Sequence, residues 1–166
     1  MESARFNEHE NSMGERTPSM GVDLMPQCTR RLEFDAGHRV VRHESKCRHV
    51  HGHRYRADIT VSASDLDLLG RVIDFSVIKE KVGRWIDDNL DHCYIMHPKD
   101  PIGLQIEKAG SKVYKMPHAI SNPTAENIAR LIAFEADHLL KDAEVEVIHV
   151  RLYETPNCWA DWRKTS

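Results

Sequence analysis

His38, His51, His53 and Cys47 are the residues of this chain whose types and spacing can do chemistry together. His51 and His53 flank Gly52, and residues i and i+2 of a strand project to one face, so both imidazoles can converge on one ion. Gly52 removes the side chain between them and permits close backbone approach. His38 ends the alternating face of an earlier strand pattern, and hairpin pairing would bring it alongside. Three neutral imidazoles with an open fourth position are the ligand pattern of a catalytic zinc, which polarises bound oxygen atoms and lowers their pKa. Spacing leaves two points open. His49 shares parity with His51 and His53. Cys47 can complete a closed zinc site of one cysteine and three histidines, or stay near the ion unligated. In the second case Lys46, Arg48 and the metal charge favour the thiolate as base or nucleophile.

Other residues offer acid–base and binding chemistry. Asp91 can orient the His92 tautomer and raise its basicity, provided the helix ends there, because adjacent helical residues do not face each other. The alternative is a helix-terminal histidine that caps carbonyls. Glu154, ahead of Thr155-Pro156, can accept two parallel N–H bonds from a guanidine-like heterocycle edge; it can also be an exposed turn acid. Thr124 and Glu126 open a helix whose N-terminus can receive substrate polar groups, although an N-cap role suffices for Thr124. From Arg30 to Arg56 there are eight Arg or Lys against Glu33, Asp35 and Glu44. That stretch is either a solvated basic strand face or a site that attracts an anionic substrate.

Several elements must position these groups. Leu32, Phe34, Ala36 and His38 alternate with Arg31, Glu33 and Asp35, a strand signal. Tyr55, Ala57, Ile59 and Val61 mark the inner face of a second strand from His51 to Ala63. Ser76 is an expected N-cap for a helix carrying Ile78, Val82, Trp85, Ile86 and Leu90 and ending near Asp91-His92. Residues 93–120 read as a loop longer than a plain connection, with local structure or a functional role. Thr124 begins a second helix with the apolar stripe Ile128, Leu131, Ile132, Ala136 and Leu139. Strands Glu144–Glu154 and Cys158–Arg163 follow, joined at Thr155-Pro156-Asn157. The expectation is an α+β chain in the order β-β-α-α-β-β, its strands antiparallel and its helices on one face.

The 166 residues carry a net charge of −3 and 40% hydrophobic content, which suits one globular domain and argues against a nucleic-acid binder. Residues 1–26 read as a disordered extension and 27–166 as the domain. No apolar run approaches membrane-spanning length. Cys28, Cys47, Cys93 and Cys158 form no disulfide framework, so the chain reads as cytoplasmic, where thiols stay reduced.

Six motifs occur in one order: Phe34-Asp-Ala-Gly-His38, Cys47-x-x-x-His51-Gly-His53-x-Tyr55, Asp74-Phe75, Leu90-Asp91-His92, Asn122-Pro-Thr-Ala-Glu126-Asn127 and Tyr153-Glu154-Thr-Pro. Together they resemble the 6-pyruvoyltetrahydropterin synthase / 6-carboxy-5,6,7,8-tetrahydropterin synthase family. The resemblance implies the tunnelling fold, with a four-stranded antiparallel sheet and two helices on one side. It implies a homo-oligomer, usually a hexamer built as a dimer of trimers, with active sites between subunits. It carries zinc binding onto His38, His51 and His53, and the proton-abstracting thiol onto Cys47. It carries an opposing Asp-His unit onto Asp91 and His92, and the pterin anchor onto Glu154, with Thr124 to Asn127 on the pterin side. The short Cys47-to-His51 spacing looks like the bacterial branch that makes 6-carboxytetrahydropterin for queuosine (7-deazaguanine) biosynthesis. That branch takes a pterin triphosphate, 7,8-dihydroneopterin triphosphate, and releases acetaldehyde and triphosphate. The alternative product is 6-pyruvoyltetrahydropterin, and a zinc-stabilised pterin-binding module without turnover is a third reading. Residues 97–120 are longer than in compact members, and the tail before Gln27 has no counterpart.

Overall fold

The computed structural model describes residues 25–165; the expected disordered extension lies almost wholly outside the described residues. The first hairpin pairs β1 (Gln27–His38) with β2 (His51–Ser62) in antiparallel register. β5 (Glu146–Thr155) pairs antiparallel with β2 and with β6 (Cys158–Arg163). These four strands agree with the expected antiparallel set. Leu32, Phe34, Ala36, Tyr55, Ala57, Ile59, Val150 and Leu152 alternate onto one buried face, because strand side chains have a period of two.

Two helical units cover that face. The first is a continuous run of α1 (Phe75–Ile78), a π-helical turn (Lys79–Gly83) and α2 (Arg84–Asn89). Its N-cap is Asp74 rather than the expected Ser76. The Asp74 carboxylate accepts from the Ser76 amide at 2.8 Å and from its hydroxyl at 2.7 Å. A carboxylate is a strong acceptor, and the anion also suits the helix N-terminus. The second unit is α4 (Ala125–Leu140), capped as expected by Thr124, whose hydroxyl accepts from the Asn127 amide at 3.3 Å. Ile128, Ile132, Ala136 and Leu140 of α4 are fully buried. At about 1.5–3 kcal/mol for each large apolar side chain, that stripe fixes the helix, and with it the loop that precedes it.

The sheet has six strands rather than four, in the order β4-β3-β1-β2-β5-β6. The additional pair comes from the segment read as a long loop. β3 (Cys93–Met96) runs parallel to β1, and β4 (Val113–Lys115) runs parallel to β3. Between them lies α3 (Pro101–Lys108), capped by Asp100 with Pro101 at the first helical position. The sheet is therefore mixed, and the order is β-β-α-β-α-β-α-β-β. A parallel pair needs a crossover, and α3 supplies it.

Candidate metal centre

The register of the first hairpin builds the centre. His38 pairs with His51, and Ala36 with His53. By parity all three imidazoles fall on the core-facing side at one end of the sheet. Their ring centroids lie 4.5 Å (His38–His51), 5.2 Å (His38–His53) and 5.1 Å (His51–His53) apart. One ligand atom from each lies within 4.8 Å of the other two. Gly52 is required for this approach, since a Cβ there would stand 2.9 Å from the Ala36 carbonyl oxygen.

Hydrogen bonds select the ligand atoms. The His38 ring donates from Nδ1 to the Pro123 carbonyl at 2.7 Å, and the His51 ring donates from Nδ1 to the His49 carbonyl at 2.8 Å. A carbonyl only accepts, so each neutral ring carries its proton on Nδ1 and presents the Nε2 lone pair. The Nε2 atoms of His38 and His53 are buried without a hydrogen-bond partner. Burial lowers the pKa of His38 to about 4; the Pro123 bond opposes this, and His51 and His53 add to it. Burial first, then His51, lowers His53 as well. Neutral imidazoles with converging, partnerless lone pairs fit a borderline-soft divalent ion such as zinc.

The positions of His49 and Cys47 bear on both points left open by spacing. The exposed His49 contributes its carbonyl to His51, and its ring lies outside the cluster. Among the described residues the cluster comprises the three histidines without Cys47. Cys47 sits on a 3-10 turn (Lys46–Arg48), partly exposed, in the connection between β1 and β2.

The Asp91–His92 pair meets the condition set for it. α2 ends at Asn89, and His92 has a left-handed backbone with φ of 53°. The His92 Nδ1 lies 2.7 Å from the Asp91 carboxylate. The other Asp91 oxygen accepts from the Asp35 amide at 2.8 Å, while the His92 amide donates to the Asp35 carbonyl at 2.7 Å. Burial pushes the Asp91 carboxyl up, but the Asp35 amide, His92 and Lys112 outweigh it and hold the carboxyl low. His51, His53, His92 and Cys93 line one open hollow of about 490 Å³ beside Asp35, Gly37 and Arg54.

Glu154 is no exposed turn acid. It lies on the core-facing parity of β5, one oxygen 3.7 Å from the His38 Nε2. Burial raises its pKa; His51 opposes this and Glu126 adds to it. Glu126, in the first turn of α4, is thus felt by Glu154, while Thr124 serves as the N-cap. Three participants escape motif reading. The Pro123 and His49 carbonyls orient imidazoles, and backbone atoms carry no residue signature. The Tyr55 hydroxyl is buried without a partner, with its ring 5.9 Å from His38 and 5.4 Å from His53. Its place in the His53-x-Tyr55 motif is the one signal for it.

A sequence profile described as 6-pyruvoyl tetrahydropterin synthase matches residues 27–165. The chain is 47% identical over 140 residues to the 6-carboxy-5,6,7,8-tetrahydropterin synthase of Rickettsia conorii, covering 82% of this chain and 99% of that protein. It is 31% identical over 148 residues to the Haemophilus influenzae protein of the same name, covering 84% and 100%. In fold it matches the 6-pyruvoyl tetrahydropterin synthase of Caenorhabditis elegans with a TM-score of 0.61 at 20% identity, over 85% of this chain and 98% of that one. An uncharacterized protein from Wolinella succinogenes matches with a TM-score of 0.70 at 23% identity, over 86% and 99%. The ordered motifs, the six-stranded fold and these relatives agree: the chain belongs to the 6-pyruvoyl tetrahydropterin synthase family.

Proposed function

We propose that this chain is a zinc-dependent 6-carboxy-5,6,7,8-tetrahydropterin synthase. It converts 7,8-dihydroneopterin triphosphate and one water to 6-carboxytetrahydropterin, acetaldehyde and triphosphate, a step of queuosine biosynthesis in the cytoplasm. The observation that carries the reading is the three-imidazole cluster, its ligand atoms within 4.8 Å of one another, beside the half-buried Glu154 carboxylate. The relatives at 47% identity that bear this enzyme's name support the 6-carboxy product.

His38, His51 and His53 would hold the ion. When bound, zinc supplies Lewis-acid polarisation of the substrate's side-chain hydroxyls and lowers their pKa. Cys47, outside the ligand set, acts as the base that removes a proton. Asp91 fixes the His92 ring through Nδ1, leaving Nε2 to exchange protons on the other side of the substrate. Glu154 accepts from the amino-pyrimidine edge of the pterin, with Glu126 and Thr124 bordering it at the start of α4. The assembly is a homohexamer, a dimer of trimers. The sheet supports this with two unpaired edges among the described residues, β4 and β6.

The test is incubation of zinc-loaded protein with 7,8-dihydroneopterin triphosphate, followed by mass analysis. Acetaldehyde and a 6-carboxy product are expected. A product that retains the three-carbon side chain would replace this reading with 6-pyruvoyl synthesis, the reaction in the family's name. A non-catalytic module requires Cys47 on the metal. Cobalt substitution without thiolate charge-transfer absorption would exclude that.

A further inference from the structure

Asp100 is fully buried, and an isolated carboxylate there would be strongly disfavoured. Its oxygens are therefore all engaged. The Arg39 Nε donates to both at 3.0 Å, and Nη2 donates as well. The Ile102 amide donates at 3.0 Å and the Tyr94 hydroxyl at 3.2 Å. Stability alone is a weak reason for such a pair, since well-packed apolar residues often replace buried ion pairs at no cost.

What the pair touches is more informative. Arg39 follows the ligand His38 directly, and its Nη1 donates to the Arg48 carbonyl at 3.1 Å. The next residue, Val40, donates its amide to the Cys47 carbonyl at 2.9 Å. The peptide groups at and just after Cys47 are thus gripped by the two residues that follow His38. Tyr94 lies on β3, two residues beyond His92. One guanidinium–carboxylate fork therefore joins the ends of the three elements that carry His38, Cys47 and Asp91–His92.

We propose that Arg39, held by Asp100, is a positioning residue that fixes the Cys47 turn relative to His38 and Asp91–His92, and so aims the thiol at the substrate. This rests on the role of Cys47 proposed above. Lysine can neutralise Asp100, but its single ammonium cannot also span to the Arg48 carbonyl in the same planar geometry.

The experiment compares zinc-loaded wild-type protein with Arg39→Lys, Tyr94→Phe and Cys47→Ala. It measures kcat, KM, zinc content and the rate of iodoacetamide alkylation at Cys47, with the exposed Cys158 as internal reference. Arg39→Lys is expected to keep its zinc and lower kcat by about 10–100-fold with KM little changed, the cost of about an ångström of misplacement. Its Cys47 alkylation rate should move several-fold against Cys158. Tyr94→Phe, which removes a single hydroxyl and tests the network should Arg39→Lys fold poorly, is expected to shift both readouts in the same direction by less. Wild-type kcat and alkylation in the folded variants would overturn the positioning, as would a raised KM with unchanged kcat, which would make Arg39 a substrate contact. Full activity in Cys47→Ala would overturn the thiol reading, and the positioning with it. An inactive Cys47→Ala beside a wild-type-like Arg39→Lys overturns the positioning alone.

Discussion

The histidine cluster and the Asp91–His92 pair are built in opposite ways. His38 is 1% exposed, stands on a strand paired on both sides, and has its tautomer set by a backbone carbonyl. The His92 side chain is 79% exposed, at a helix–strand junction, and is steered by an acidic side chain. The three imidazoles are thus brought together within one chain. The Asp91–His92 pair is open on its His92 side. Rigid strands suit metal ligands, which tolerate little misplacement, whereas a group that moves protons must reach its partner.

The contrast can be broken most completely at the cluster. His53→Ala removes one of three ligands; metal content, read by elemental mass spectrometry, should fall below stoichiometric and turnover to background. Breaking the other region leaves the first intact. Asp91→Asn should keep the metal while kcat falls by about 10²–10⁴-fold, the usual worth of a positioned acid–base group. Metal loss in that variant would erase the distinction.

Acid titration sharpens the comparison. His38 is lowered from 6.5 to about 4 by burial. Between those values the unfolded chain binds a proton that the folded one refuses. Metal-free protein should therefore lose stability as pH falls through that window, by about 3 kcal/mol from this group at most. Denaturant titrations across pH 7 to 4 check this, and His38→Gln should flatten the slope.

Gly52→Ala places a Cβ 2.9 Å from the Ala36 carbonyl. Such overpacking costs about 1–3 kcal/mol, and it should weaken metal binding with little effect on the Asp91–His92 pair. The smallest effect belongs to the open face of the sheet, away from both regions. The Arg31 side chain is 50% exposed in its pair with Asp58, so Asp58→Asn should change stability by under about 1 kcal/mol. Thermal melts test both.

Much of this was legible in the sequence because strands have a simple period. Parity placed His38, His51 and His53 on one face together with Tyr55 and Ile59, and the Thr124 cap was plain from side-chain chemistry. β3 and β4 were not legible. Cys93–Met96 and Val113–Lys115 are too short for periodicity to register, and both owe their pairing to β1 and its neighbour rather than to local pattern. Asp74 displaced Ser76 because two acceptable caps stood two residues apart, and the choice depended on backbone geometry. The Glu154–His38 approach depends on strand register across the sheet. The Arg39–Asp100 pair joins residues 61 positions apart, beyond any local signal.

The π-helical turn at Lys79–Gly83 has a consequence for insertions and deletions. A π turn holds one residue more than the α turn it replaces, so it takes up that residue locally and leaves the phase downstream nearly unchanged, whereas a residue added to or removed from a plain α-helix swings everything downstream by about 100° around the axis. Leu90, the fully buried wedge just past the end of α2, sets the angular phase at which the chain delivers Asp91 to the Asp35 amide. A single-codon deletion within this turn would regularise the helix and keep that delivery close to phase, whereas a deletion in α2 would rotate it by about 100° away from the sheet. This turn should therefore accept the loss of one residue more readily than the α-helical segment that follows it.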